Sequence, residues 1–181
     1  MKKKAYVIGS NVRESLSPFI FNYWFNKAGI NNEYNHLEIK PKNFNKEINK
    51  LLNKRNVCGF NVTIPYKEKI IRYLDKVDAH ATKIGAVNCV TKKNGLWVGT
   101  NTDWIGFAAP LLKRKFLKKN CAAIIGYGGA AKAIIYSLQK MGYKEIKIFN
   151  RTFKKIENLG KFKNISPYEI LEIENHTKKI D

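Results

Sequence analysis

Apolar positions in this chain follow two spacings. Short runs alternate every second residue and longer runs repeat every third or fourth, so strands and helices take turns from the N-terminus onward. Residues 5–9 read as a first strand. Ser17-Pro18 then opens a helix, with Ser17 as N-cap and Pro18 at the first helical position. Phe19, Ile20, Tyr23 and Trp24 give it an apolar stripe at helical spacing, and Gly29 ends it. A second strand is predicted over 33–40, an amphipathic helix over 44–52, and a third strand over 58–64, stopped by Pro65. Residues 66–74 read as a short helix. Residues 86–91 and 96–100 form a hairpin around Lys93-Asn94-Gly95, an Asn-Gly turn signal, and a helix follows over 104–114.

A second unit begins near residue 118. Residues 121–126 read as a buried strand, 128–141 as a helix with Gly142 at its C-cap, and 144–150 as the next strand. Residues 153–163 and 167–176 are predicted helical, and Lys179-Ile180-Asp181 looks like the approach to a further strand. The fold class is α/β.

Composition changes this picture little. A hydrophobic content of 44% over 181 residues permits a real core. No apolar run approaches the roughly 20 residues of a membrane span. The stretch after Met1 lacks a signal-peptide core and cleavage pattern, so the expected location is cytoplasmic. Cys58, Cys89 and Cys121 lie far apart in apolar surroundings and read as buried, reduced thiols, and no metal-ligand spacing links them to His36, His80 or His176. The net charge of +20 is spread along the chain rather than gathered in a stripe with aromatics, so no nucleic-acid partner is expected. A small-molecule partner is expected instead, and the oligomeric state is not legible.

The glycine loop carries the most specific chemistry. Gly126-Tyr127-Gly128-Gly129-Ala130-Ala131 lies between a strand and a helix and fits the dinucleotide fingerprint, with Gly126, Gly128 and Ala131 in the diagnostic places. The following helix N-terminus offers N–H groups and a positive dipole end to phosphates. An NAD site usually has a carboxylate at the end of the next strand. Here that strand ends in Asn150-Arg151-Thr152, where Arg151 can pair with a 2′-phosphate and Lys155 adds charge, so NADP(H) is expected over NAD.

The N-terminal motifs are less telling by themselves. Ser15 and Ser17 sit beside a helix start, where they can cap it or hold a carboxylate. Asn61 and Thr63 share one face of a strand, since side chains alternate, and Lys67 follows at the strand's C-terminal edge. Asn101-Thr102-Asp103 marks a strand–helix junction, where Asp103 can be an N-cap.

Taken in order, these segments resemble the shikimate dehydrogenase family: Ser15-Leu16-Ser17-Pro18, Asn61 to Lys67, Gly85-Ala86-Val87-Asn88, Asn101 to Phe107, the glycine loop and Asn150-Arg151-Thr152. The resemblance implies an α/β substrate-binding domain over 1–103, a connecting helix over 104–117, and a partial Rossmann NADP-binding domain over 118–181. It implies reversible NADPH-dependent reduction of 3-dehydroshikimate to shikimate in chorismate and aromatic amino-acid biosynthesis. Ser15 and Ser17 would bind the substrate carboxylate, Asn61, Thr63 and Asn88 the ring hydroxyls, and Lys67 and Asp103 would form the catalytic pair. Gly126 to Ala130, Asn150, Arg151, Thr152 and Lys155 would hold the cofactor, with no metal. Tyr127, where a small residue is common, is expected to crowd the cofactor, and Cys89 replaces a frequent Thr. From 118 onward only two strands are readable, fewer than the family's Rossmann domain needs, so the chain is expected to be C-terminally truncated, and impaired as a fragment. The alternatives are a quinate/shikimate dehydrogenase and a catalytically silent fragment that binds shikimate-like acids.

Overall fold

Strand β1 (Lys3–Gly9) takes parallel partners on both sides, β2 (Asn32–Glu38) and β3 (Val57–Val62). The computed structural model describes residues 2–114, 118–176 and 180. Their contacts fall into two units, Met1–Asn101 and Thr102–Asp181.

In the first unit β3 also pairs, antiparallel, with β5 (Cys89–Lys93), which turns at Asn94-Gly95 into β6 (Leu96–Thr100). A short β4 (Lys76–Val77) completes a six-stranded sheet of order β2-β1-β3-β5-β6-β4. One face carries Ile8, Phe60, Val62, Val90 and Trp97 into the main core, against Phe44, Ile48 and Leu51 of helix α2 (Phe44–Leu52). The amphipathic spacing of α2 and its predicted bounds both hold.

Helix α1 (Ser17–Lys27) covers part of the other face, and here two expectations fail. Its N-cap is Leu16, not Ser17, which lies one residue inside the helix. The stripe of Phe19, Ile20, Tyr23 and Trp24 faces outward, each at least 39% exposed. Phe21 and Phe25 pack instead against Val7 and Tyr34. The periodicity was real but ambiguous, because apolar residues surround most of this helix and only the neighbouring sheet decides which side is covered. Residues 66–74 also differ from expectation, forming a short 3-10 stretch over Lys69–Tyr73 after a buried Tyr66. Unforeseen elements are β4 and helix α3 (Ala79–Ile84), which Asp78 caps by accepting the Ala81 N–H at 2.6 Å.

The second unit holds helix α4 (Asp103–Leu112), strand β7 (Cys121–Ile125), helix α5 (Gly129–Met141) and strand β8 (Glu145–Asn150). Phe107, Ala108 and Leu111 of α4 pack into this unit's core, and residues 115–117 of the connecting helix expected over 104–117 lie outside the described residues. Among the described residues a third parallel strand, β9 (Ile165–Glu169), takes the first part of the helix expected over 167–176, whose remainder is helical over 170–176, and the order is β7-β8-β9 where two strands were expected. Pro167 fits this strand because it lies at the sheet's edge, where the missing N–H can face outward. Residues 153–163 form short 3-10 turns rather than one helix, and helix α6 (Ile173–His176) closes the described segment. The anticipated strand approach at 179–181 lies outside the described residues except for Ile180.

The alternate faces of β8 are both covered. Ile146 and Ile148 join Ile124, Ile165 and α5 in the core, while Lys147 and Phe149 point the other way. Lys147 is buried and its Nζ donates to the His176 carbonyl at 3.0 Å, an uncommon place for a lysine even in so basic a chain. Of the three cysteines only Cys121 is buried; Cys58 and Cys89 are half-buried. Among the described residues no helix is long and apolar enough to cross a membrane.

Ile148 is fully buried at the centre of the second core. Ile148→Ala should therefore destabilise this unit by about 2–5 kcal/mol, read in urea as faster amide exchange across β7–β9. Unchanged exchange there would contradict the assigned core.

Candidate functional site

The first unit gathers its polar residues by strand register. Partner positions across the sheet run His36 on β2, Val7 on β1, Asn61 on β3, Cys89 on β5 and Thr100 on β6. Laterally paired residues project to the same side. Asn61 and Thr63 therefore stand on the face opposite the main core, which takes Phe60 and Val62.

Asn61 is tightly placed. Its Oδ1 accepts from the Tyr34 hydroxyl at 2.7 Å, and its Nδ2 donates to the Asn88 carbonyl at 3.2 Å. Asn88 is itself buried, its N–H donating to the Thr100 carbonyl at 3.1 Å and its carbonyl accepting the Val62 N–H at 2.8 Å. Burial pushes the Tyr34 hydroxyl well above the ordinary phenol range, with the nearby Cys89 adding to the effect. Burial likewise pushes up the Cys89 thiol.

Lys67 gains its position from its neighbour. Tyr66 is fully buried, stacked on Phe44 with ring centroids 4.2 Å apart, and its hydroxyl donates to the Ile39 carbonyl. That anchor pins the chain just before Lys67, whose own carbonyl accepts the Val87 N–H at 2.8 Å. The segment carrying Lys67 is thus tied to the turn carrying Asn88. Asn101, only 2% exposed, ties the same turn from the other side by donating to the Ala86 carbonyl at 2.9 Å.

Ser15 and Ser17 meet at the start of α1. Ser15 Oγ lies 3.1 Å from Ser17 Oγ and accepts the Ser17 N–H at 3.3 Å. His36 Nε2 lies 2.9 Å from the Ser15 carbonyl, which fixes this turn to β2. The structure thus gathers Asn61, Asn88 and Lys67 into one hydrogen-bonded framework and joins Ser15 to β2. Tyr34, which the sequence does not single out, supports Asn61, and His36, weighed there only as a metal ligand, supports Ser15; their period-two spacing on the second strand is the available signal.

In the second unit the C-terminal ends of β7 and β8 lie side by side, Ile125 opposite Phe149. Open α/β sheets bind ligands at this edge. The Gly126 N–H donates to the Phe149 carbonyl at 2.7 Å, joining the glycine loop to the second strand's end. Asn150 Nδ2 donates to the Thr152 carbonyl at 2.8 Å, shaping the turn that leaves Arg151 exposed; Lys155 is exposed too. Asp103 begins α4 in this same unit. The Tyr127 ring packs at the edge of the second core with Lys132 Nζ 5.2 Å from its centroid, so Lys132 adds a cation beside the loop that sequence reasoning passed over.

Two glycines of the loop differ in a way that bears on a cofactor. Gly126 has φ +94°, a conformation L side chains avoid, so the turn itself requires glycine. Gly128 has φ −106°, and a Cβ built there would meet nothing within 4 Å. Folding gives no reason for glycine at 128. A ligand backbone-close to the α5 N-terminus does, and a pyrophosphate fits that requirement.

Comparison with known proteins places both units. Residues 7–90 match the family model described as shikimate dehydrogenase substrate binding domain, and residues 110–181 match shikimate / quinate 5-dehydrogenase. A relative from Caldicellulosiruptor bescii named shikimate dehydrogenase (NADP(+)) is 42% identical over 159 residues, covering 87% of this chain and 55% of its own. The crystal structure of shikimate dehydrogenase from Aquifex aeolicus superposes with a TM-score of 0.88 at 37% identity, covering 99% of this chain and 66% of that one. The Thermus thermophilus enzyme in complex with NADP(H) and shikimate gives 0.81 at 27% identity, over 96% and 65% of the two chains. The chain thus spans little more than half the length of the C. bescii relative.

The glycine contrast can be measured directly. Gly126→Ala should cost about 1–2 kcal/mol of stability in urea, whereas Gly128→Ala should leave the midpoint unchanged. Equal losses would mean that Gly128, too, is glycine for folding.

Proposed function

Because the chain belongs to the shikimate dehydrogenase family, we propose that it carries the substrate site and the first cofactor-binding elements of an NADP-dependent oxidoreductase that interconverts 3-dehydroshikimate and shikimate. That reaction is a step of chorismate and aromatic amino-acid biosynthesis. The observation that carries the reading is the polar face of β3, where Asn61 and Thr63 turn away from the core and the buried Tyr66 sets Lys67 beyond them.

In this reading the first unit binds the substrate. Ser15 and Ser17 receive its carboxylate, with their hydroxyls and the α1 N-terminus as donors. Asn61, Thr63 and Asn88 hold the ring hydroxyls. Lys67 delivers a proton to the carbonyl oxygen during reduction and takes it back in reverse, and Asp103 is the second catalytic residue, an acceptor for a substrate hydroxyl. The second unit binds NADP(H) through the 126–130 loop, Asn150, Arg151, Thr152 and Lys155. When bound, the cofactor supplies the hydride, while the protein supplies orientation and electrostatics. Arg151 at the end of β8, with no carboxylate beside it, supports NADP over NAD. A cytoplasmic setting suits three cysteines that remain thiols.

The test is dehydroshikimate reduction by the full product of the gene. Lys67→Ala should lower kcat about 10²–10⁴-fold, the range for losing a positioned proton carrier, while substrate affinity changes far less. Parallel losses in both would remove Lys67 from proton transfer. Faster turnover with quinate and NAD would move the protein to the quinate/shikimate branch. Shikimate binding without turnover would leave a binding module only.

A further inference from the structure

The sheet's polar face carries a hydrogen bond from Tyr34 to Asn61 that the proposed function gives no role. Tyr34 is 3% exposed, on an edge strand, two strands away from Asn61. Its ring lies flat on Phe21, with centroids 4.5 Å apart and planes 7° from parallel. On β1 its lateral partner is Ala5, small enough to let the ring pass over, and its hydroxyl arrives at Asn61 Oδ1 at 2.7 Å. The backbone behind it is clamped as well. Asn22 of α1 accepts the Tyr34 N–H at 2.8 Å and donates to the Tyr34 carbonyl at 2.9 Å.

An asparagine amide has two ends of nearly equal size, and its hydrogen-bond partners decide which way it faces. The Asn88 carbonyl can only accept, so it must face the Asn61 nitrogen. The oxygen then faces Tyr34, whose hydroxyl must donate. Burial keeps that hydroxyl protonated well beyond the usual phenol range, so the donor persists at any working pH. With these two bonds made, Asn61 retains one N–H and one oxygen lone pair. That pair of functions matches a hydroxyl group, which both accepts and donates, and does not match a carboxylate, which only accepts.

We propose that Tyr34 is a positioning residue that locks the Asn61 amide in plane and orientation, so that the site presents a matched donor and acceptor to a ring hydroxyl of the substrate. This rests on the reading of Asn61 as a substrate-binding residue. Removing the Tyr34 hydroxyl while keeping the ring leaves the stack on Phe21 and the Asn22 clamp intact.

Tyr34→Phe in the ¹⁵N-labelled full chain tests the lock without any ligand. In the wild type the two Asn61 side-chain N–H signals should be resolved, with the proton bonded to the Asn88 carbonyl protected from solvent exchange. In Tyr34→Phe that proton should exchange about tenfold faster, the scale of one lost neutral hydrogen bond. Unchanged Asn61 signals overturn the proposal. Calorimetric titration with shikimate then reads the consequence: Tyr34→Phe should weaken binding about three- to tenfold, and should change it by less than about twofold in an Asn61→Ala background. An equal loss in both backgrounds overturns the proposal, because Tyr34 would then act through the fold and not through Asn61. Absence of shikimate binding to the wild type would sink the ligand assignment of the proposed function, while the Asn61 signals still decide the role of Tyr34.

Discussion

The register of β3 between β1 and β5 is the constraint on which the first unit depends. Side chains alternate along a strand, so a slip of one residue would exchange the two faces. In the observed register Phe60 and Val62 enter the core, and Asn61 is aligned with Cys89 and Thr100 on the opposite side. Burial of the apolar set fixes the register, and the polar set is carried into place as a consequence. Apolar core and polar face are thus written on alternate residues of one strand.

The surrounding contacts convert that alternation into fixed geometry. Tyr66 anchors the end of the strand in the core and commits the chain at Lys67, while the Asn101 and Asn88 bonds hold the facing turn. The second unit follows a different rule with a similar outcome. Parallel strands bring their C-terminal ends to one edge, and the loop after β7 bonds to the end of β8 there. The β7-β8-β9 order is the half of a doubly wound sheet that carries the phosphate-binding turn.

Much of this was legible in the sequence because several signals are local. Helix α2 announced itself by Phe44, Ile48 and Leu51 at helical spacing, the β5–β6 hairpin by Asn94-Gly95, and the α5 C-cap by Gly142. What stayed hidden depended on distant neighbours. The exposed side of α1 could not be chosen from a helix with apolar residues nearly all round, and β9 was disguised by Pro167, tolerated because the strand lies at a sheet edge. Ser17 read as a cap because its hydroxyl sits one residue from the true cap position. Lys67 was one of 34 basic residues, and only the family motif singled it out. The Tyr34–Asn61 bond links residues 27 positions apart across an intervening strand, a contact no spacing rule expresses.

The central claim is that the face of β3 opposite the core is the ligand-binding face. Mapping backbone and side-chain shifts of the labelled chain during a shikimate titration tests it most directly. The account predicts saturable shifts confined in this unit to Ser15–Ser17, Asn61, Thr63, Lys67 and Asn88. Shifts centred on α2 and the core-facing residues of the sheet, with those positions silent, would contradict it.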